Sequence, residues 1–242
     1  LTKFPNFNQL YTQLRSSKFK ISAQLVPLKG LIIDFNADRD FTENQMENFR
    51  IENQDYMPQN ISILGNFGMS TVLLKTTFNS SKSSISQNFE RFREFRKIIA
   101  DRLVENTIFS DLGDDIEGYP LGFGKNQQSV LLHSFVAAYS GSDPSRMELN
   151  PIKNTPLPNW NLKFTGLTEI KSIAKVFQRL SLNHAYRASY TLTNFQSNFD
   201  YDPLNPTDNS GNFIPQRLYS NVNLVEQFNP LVRLDMEFIN SL

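Results

Sequence analysis

Two imidazoles, His133 and His184, are the only ones available for proton transfer. Cysteine is absent, which excludes thiolate nucleophiles, disulfides and thiolate metal sites. Neither histidine sits in a HExxH or GxSxG frame. His184 falls in an alternating run with Tyr186 and Tyr190 on its side, the setting of a packed or interfacial histidine rather than of a proton shuttle. Asp34 and Asp38 share one side of another alternating run, and carboxylates on a wet strand face are common and establish no glycosidase chemistry.

Two loops carry oxygen ligands of the kind calcium uses. One is Asp111-Leu112-Gly113-Asp114-Asp115-Ile116-Glu117-Gly118; the other joins Asp200-Tyr201-Asp202 to Asp208-Asn209-Ser210-Gly211-Asn212. The spacing matches no EF-hand, and Pro/Gly-rich loops use carboxylates to form turns, so turn chemistry is the reading adopted for both. Gly118-Tyr119-Pro120-Leu121-Gly122-Phe123-Gly124 lacks the Lys-Ser/Thr and the helix pattern of a phosphate cradle. The sequons Asn60-Ile61-Ser62 and Asn79-Ser80-Ser81 are short enough to arise by chance. No catalytic residue, cofactor-binding residue or metal ligand is assigned, and the chain is expected not to be an enzyme.

The elements that would position such residues are mainly strands. Of the 242 residues, 39% are hydrophobic and 20% charged, a globular balance that allows a core. Lys plus Arg and Asp plus Glu both number 24, so no global field gathers nucleic acid, and nucleic acid is not expected as a partner. No apolar run reaches the ~18 residues of a membrane-spanning helix. The start at Leu1-Thr2-Lys3-Phe4 has no signal-peptide pattern and the end at Phe238-Ile239-Asn240-Ser241-Leu242 lies within an alternating run, so both ends are expected to be cut from something longer.

Phe (21) and Tyr (8) far outnumber the single Trp, and with many Asn, Ser, Gln and Thr this favours strands and polar loops. In Lys18 to Val26, Phe19, Ile21, Ala23 and Leu25 oppose Lys20, Ser22 and Gln24. A turn at Pro27-Leu28-Lys29-Gly30 follows, then Leu31, Ile33, Phe35 and Ala37 alternate with Asp34, Asn36 and Asp38, which predicts a hairpin. The clearest run is Ser181 to Phe195. Further strands are predicted at Gly68 to Phe78, Ser129 to Ser140, Asn159 to Thr165, Leu218 to Phe228 and Leu231 to Leu242, roughly eight in all.

Two helices are expected among them. In Ser86 to Phe109, with Ser86 as N-cap, Phe89, Phe92, Phe95, Ile99 and Leu103 recur at helical spacing and the mixed charges on the other face read as solvated. Glu169 to Leu180 predicts a short helix. Period-two strands of ~9–11 residues suit a membrane barrel, yet alternation alone favours a soluble sandwich.

More specific is the wording from Asn159 to Phe195: Asn159-Trp160-Asn161-Leu162-Lys163-Phe164-Thr165-Gly166-Leu167, then Leu180-Ser181-Leu182-Asn183-His184-Ala185-Tyr186-Arg187-Ala188-Ser189-Tyr190. It resembles the SprA/Sov family of giant outer-membrane translocons of the Bacteroidetes type IX secretion system, in which an "NW-x-(I/L)-x-(F/Y)-x-GL" strand precedes an "(F/L)-x-L-x-H-x-YR-x-x-Y" strand. Also similar are Ser140-Gly141-Ser142-Asp143-Pro144, Pro151-Ile152, Glu226-Gln227-Phe228-Asn229-Pro230-Leu231 with Asn240-Ser241-Leu242, Asn6-Phe7, Leu25-Val26-Pro27 and Asn36-Ala37-Asp38-Arg39. The region from about 80 to 128 carries the fewest matches.

The resemblance implies a mainly β fold: a section of a large transmembrane antiparallel β-barrel with helical insertions, located in the cell outer membrane. Residues 1–80 would be barrel strands and hairpin, 81–128 a helical and loop insertion, and 129–242 barrel strands with a short helix near 169–180. It implies export of folded cargo with C-terminal signal domains, gliding adhesins included. The implied partners are secreted cargo proteins, shuttle, plug and peptidyl-prolyl isomerase subunits, and membrane lipid. Two rival readings remain: another outer-membrane barrel, such as a porin or TonB-dependent receptor, and a soluble β-rich binding module.

Overall fold

The alternation around the Lys29-Gly30 turn builds a hairpin far longer than the periodic windows. In the computed structural model, which describes residues 8–53, 55–79, 86–105, 107 and 113–239, β1 spans Asn8–Leu28 and β2 Leu31–Glu52, antiparallel, with Ile21 opposite Ala37. Gly30 has φ 83°, and a Cβ there would lie 2.6 Å from the Gly166 backbone nitrogen, so both the turn and its neighbour require glycine. A second turn at Asn53, φ 50°, leads into β3, Asp55–Ser70, which pairs antiparallel with β2.

β3 then leaves the sheet. A short helix α1 (Leu74–Thr77), helices α2 (Gln87–Glu105) and α3 (Gln128–Ser140) and connecting loops intervene before β4, Asn159–Phe164. β4 re-enters beside the same strand β3 had paired with: Arg39 of β2 faces Met69, and Asn36 faces Asn159. β3 and β4 thus run in the same direction along one lane, interrupted by residues 71–158. Next comes β5, Phe177–Ser197, whose upper part pairs with β3 and lower part with β4. Along the far side of β5 lies a last broken lane of β6 (Arg217–Leu218), β7 (Asn221–Phe228) and β8 (Arg233–Phe238). A cis Asn229–Pro230 bond lies between β7 and β8. The result is a mainly β, wholly antiparallel sheet of five lanes, with the predicted Lys18 and Leu31 strands, Asn159 strand and Ser181 strand all in place.

Four predictions need correction. Ser129 to Ser140 is helix α3, not a strand: a run apolar on every side cannot be assigned by periodicity, and the ends decide it. The Gln127 side chain accepts from Ser129 N and Val130 N, and Gly141 closes the helix at φ 67°. The helical region therefore continues past 128 to the return at Asn159. The predicted strand to Phe78 stops at Ser70, with α1 in its place. The predicted helix 169–180 is a 3-10 turn, Gly166–Glu169, and one helical turn α4, Lys171–Ala174, after which Phe177 to Leu180 already belong to β5. The last strand covers Arg233–Phe238, and Asn240-Ser241-Leu242 lie outside the described residues, as do Asn6-Phe7 and Ser80-Ser81.

The long amphipathic helix is present as α2, with Phe89 N donating to Ser86 Oγ at 3.2 Å. Ile99 and Ala100 are fully buried, and Phe95 and Leu103 pack beside them. One core joins this insertion to the sheet, through Ile99, Leu132, Val136, Ala137 and Met147 against Phe41, Phe67, Met69, Tyr190, Leu192 and Phe195. Gly65 of β3 makes room for the Phe195 ring, since a Cβ would sit 2.2 Å from Cζ. Lys97–Asp101 and Arg93–Glu90 pairs lie on the exposed side of α2, as the charge pattern implies.

Candidate functional site

Register assigns every strand residue to one of two faces, because directly opposed residues of an antiparallel pair point the same way. One face carries Ser22, Gln24, Asp34, Asn36, Asn161, Lys163, Asn183, Arg187, Asn223, Gln227 and Asp235. It is polar through the hairpin's lower half and the middle lanes, with exposed Ile32 and Val225 interspersed, and turns mixed toward the far end of the hairpin, where Leu10, Leu14 and Leu64 share it. Its side chains bond across the lanes: Ser22 Oγ donates to Asn36 Oδ1 at 2.8 Å, Gln24 Nε2 to Asp34 Oδ1 at 2.7 Å, and Asn183 Nδ2 to Asp235 Oδ2 at 2.9 Å. Charges are matched locally, with Lys18 near Asp40, Arg233 on Asp235 and Arg179 near Glu237. The face therefore has no single-sign field.

The other face is apolar and divided. Its upper part, from Phe41 on β2 and Met69 on β3 to Leu192 on β5, is covered by α2 and α3. Its lower part holds Ile21 and Leu25, Ile33 and Phe35, Leu162 and Phe164, Leu180 and Leu182, and Leu234 and Met236. Leu234, Met236 and Phe238 are about half exposed at 49%, 50% and 49%. Aromatic rings bound this band at both ends. At the upper boundary Trp160 stacks on Tyr186 at 4.4 Å, with Phe228 5.2 Å from Tyr186 and 6.0 Å from His184. At the lower boundary Phe177 and Phe238 lie 4.9 Å apart. From Phe177 to Tyr186 is about 30 Å along β5 at ~3.3 Å per residue.

The break between β3 and β4 is closed by side chains in place of ladder bonds. Ser70 Oγ accepts from Asp38 N at 3.0 Å and donates to Leu157 O at 2.7 Å. Asn159 Oδ1 accepts from Ala188 N at 2.8 Å, and Thr71 N donates to Ala188 O. Above the aromatic row, Tyr186 Oη donates to Glu226 Oε1 at 2.6 Å and accepts from Leu73 N at 2.7 Å, while Thr77 Oγ1 donates to Glu226 Oε2 at 2.6 Å. These bonds pin the start of the insertion to the sheet. Sequence reasoning missed this junction. Its one readable sign is Asn159, a polar amide standing just before the apolar Trp160.

The residues first considered for chemistry are dispersed. His133 is buried in α3, its Nδ1 2.7 Å from Ser129 O, and burial lowers its pKa below the ordinary histidine value. His184 sits in the aromatic row with Nδ1 2.6 Å from Leu231 O. Asp34 bonds Gln24 on the polar face. In the loops, Asp115 Oδ1 accepts from Glu117 N and Tyr119 N, Asp202 Oδ1 from Leu204 N, and Asp208 Oδ1 from Ser210 N and Asn212 N. These are turn-forming bonds, as read from composition; Asp111 and Leu112 lie outside the described residues. Among the described residues no group of three carboxylates or imidazoles converges, and no helix is long and apolar enough to cross a membrane. The chain matches no protein-family model, and no curated protein matches it.

Proposed function

We propose that this sheet is a section of the wall of a large outer-membrane β-barrel that conducts folded proteins, as the resemblance to the SprA/Sov translocons implies, and that it performs no catalysis. The observation that carries the proposal is the division of the two faces at one level of the sheet: an exposed apolar band between two aromatic rows on one side, and on the other Ser22, Gln24, Asp34, Asn161, Lys163, Asn183 and Asp235. In a barrel wall the apolar band faces lipid, the aromatic rings sit at the interfaces, and the polar face lines water. A strand path of about 30 Å, tilted by ~35–45°, spans roughly 21–25 Å of hydrocarbon, the height of such a band. A soluble sandwich would cover its apolar face with a second sheet.

The polar face suits a protein conduit. Its Asn, Ser, Thr and Gln side chains and its locally matched charges offer a passing protein surface no field of one sign to adhere to, and at the level of the lipid band its side chains are mainly polar. Secreted cargo with C-terminal signal domains, gliding adhesins among it, would pass along this face. The shuttle, plug and isomerase subunits belong to the same reading as partners of the whole barrel.

The absence of cysteine from this sequence makes the test direct. Single cysteines at Leu182 or Leu234 and at Asn183 or Asn161 are placed in the full-length protein in its outer membrane, with any other cysteine replaced. Water-soluble maleimide should label the Asn positions and spare the Leu positions; equal labelling of both sets would defeat the wall. A photo-crosslinker at Asn161 should then trap export substrates during secretion. Trapping none while the labelling still alternates would leave a barrel of another kind.

A further inference from the structure

The insertion does not cover the apolar face at random. It lies on the same face as the exposed band and ends where the upper aromatic row begins, through α1 and the return leg to Asn159. Where the insertion meets the sheet it leaves apolar side chains exposed: Leu74 on α1 and, just after it, Phe78 at 72%, and Leu157 at 45% on the return leg, which bonds Ser70 at the end of β3. The Phe78 ring is 5.9 Å from that of Phe228, so the exposed surface is continuous with the Trp160, Tyr186 and Phe228 row. Exposed Lys75 lies on the same one-turn helix.

We propose that this surface, formed by Leu74, Phe78, Leu157 and Lys75, rests on the membrane as an apron, with its apolar side chains in the boundary between lipid headgroups and acyl chains and Lys75 among the phosphates. The proposal rests on the barrel reading, because it takes its level from the lipid band. A short segment with apolar residues and a basic one, held parallel to the interface, is the arrangement of interfacial membrane contact. Here the segment does not need to find the membrane by itself. The bonds of Leu73 N and Glu226 to Tyr186, and of Thr77 to Glu226, fix it at the height of the aromatic row. The Lys75 stem runs past Gly141 at the end of α3, and its exposed ammonium is placed in the headgroup layer.

The test uses the full-length protein reconstituted in phosphatidylethanolamine/phosphatidylglycerol vesicles, with an environment-sensitive nitrobenzoxadiazole label on single cysteines at Phe78, Leu157, Leu234 and Ile116. The Phe78 and Leu157 labels should be quenched by lipids spin-labelled near the headgroup and protected from aqueous iodide. Ile116, fully exposed on a loop of the insertion, should show the opposite. Iodide access at Phe78 and Leu157 with lipid quenching at Leu234 would overturn the apron and leave the wall standing. Protection from iodide without lipid quenching would also overturn it, because a protein would then cover the site. Iodide access at Leu234 as well would remove the barrel wall together with the apron.

Discussion

At His133 a single side chain carries a testable pH dependence. The imidazole is enclosed by α3, and its pKa is lowered chiefly by burial, with Lys153 and Arg102 adding to the effect against the opposing Ser129 carbonyl. The folded chain therefore holds a neutral ring where the unfolded chain, with the ordinary value near 6.5, gains a proton as pH falls. Stability contributed by this group is complete above that value and declines as pH drops from about 7 toward the lower folded value. Lys153, also lowered by burial, acts in the same sense at alkaline pH: the unfolded chain binds more protons below the ordinary lysine value, so stability rises with pH there. Melting temperatures of the folded protein at pH 7.5 and 5.5 should fall further in the parent than in His133→Gln. Carboxylates protonate in both and cancel in the comparison, so an equal fall would remove His133 from the account.

At the level of elements, the decisive feature is one lane built from two strands that are remote in sequence. β3 and β4 share a direction and a partner, and Ser70 and Asn159 supply with their side chains the bonds that a continuous strand would make with its backbone. Ser70→Ala removes the acceptor for Asp38 N and the donor to Leu157 O. It should cost about 1–3 kcal/mol, read as a lower unfolding midpoint, because partly buried backbone groups are left without partners. A change within experimental error would mean that water replaces the hydroxyl there. The same junction explains why this part was illegible beforehand. Strand β3 contains Pro58 and a left-handed Asn60, and the pairing shifts between Met46 and Asn48, so no clean alternation survives in the sequence.

The whole molecule is a two-faced sheet, and the prediction at this scale concerns the faces rather than any one contact. Leu182 and Asn183 are adjacent on β5 and point to opposite sides. If the proposed barrel wall holds, arginine at Leu182 enters hydrocarbon and should destabilise the protein in lipid by about 2–4 kcal/mol near the bilayer midplane. Arginine at Asn183 faces water but gives up the bond to Asp235 and stands between Lys163 and Arg233, so it should cost about 1 kcal/mol, clearly less than at Leu182. Folding titrations of the full-length protein into vesicles measure both. Similar effects at the two positions would argue against a lipid-facing band.

Much of this architecture is written locally. The period-two runs in Lys18 to Val26, Leu31 to Ala37 and Ser181 to Phe195, the Lys29-Gly30 turn and the Ser86 cap are short-range consequences of side-chain spacing and backbone geometry, and each appears where the sequence puts it. What spacing could not decide was how far strands continue once alternation fades and which segments share a lane. It also could not decide whether the apolar run at Ser129 to Ser140 packs as helix or strand. Those outcomes depend on partners distant in the chain. Polar residues of β2 and β3 stay extended because each other's backbones satisfy them. α3 stays helical because the sheet and α2 surround it, and the insertion stops at Tyr186 because Glu226 and Leu73 meet there.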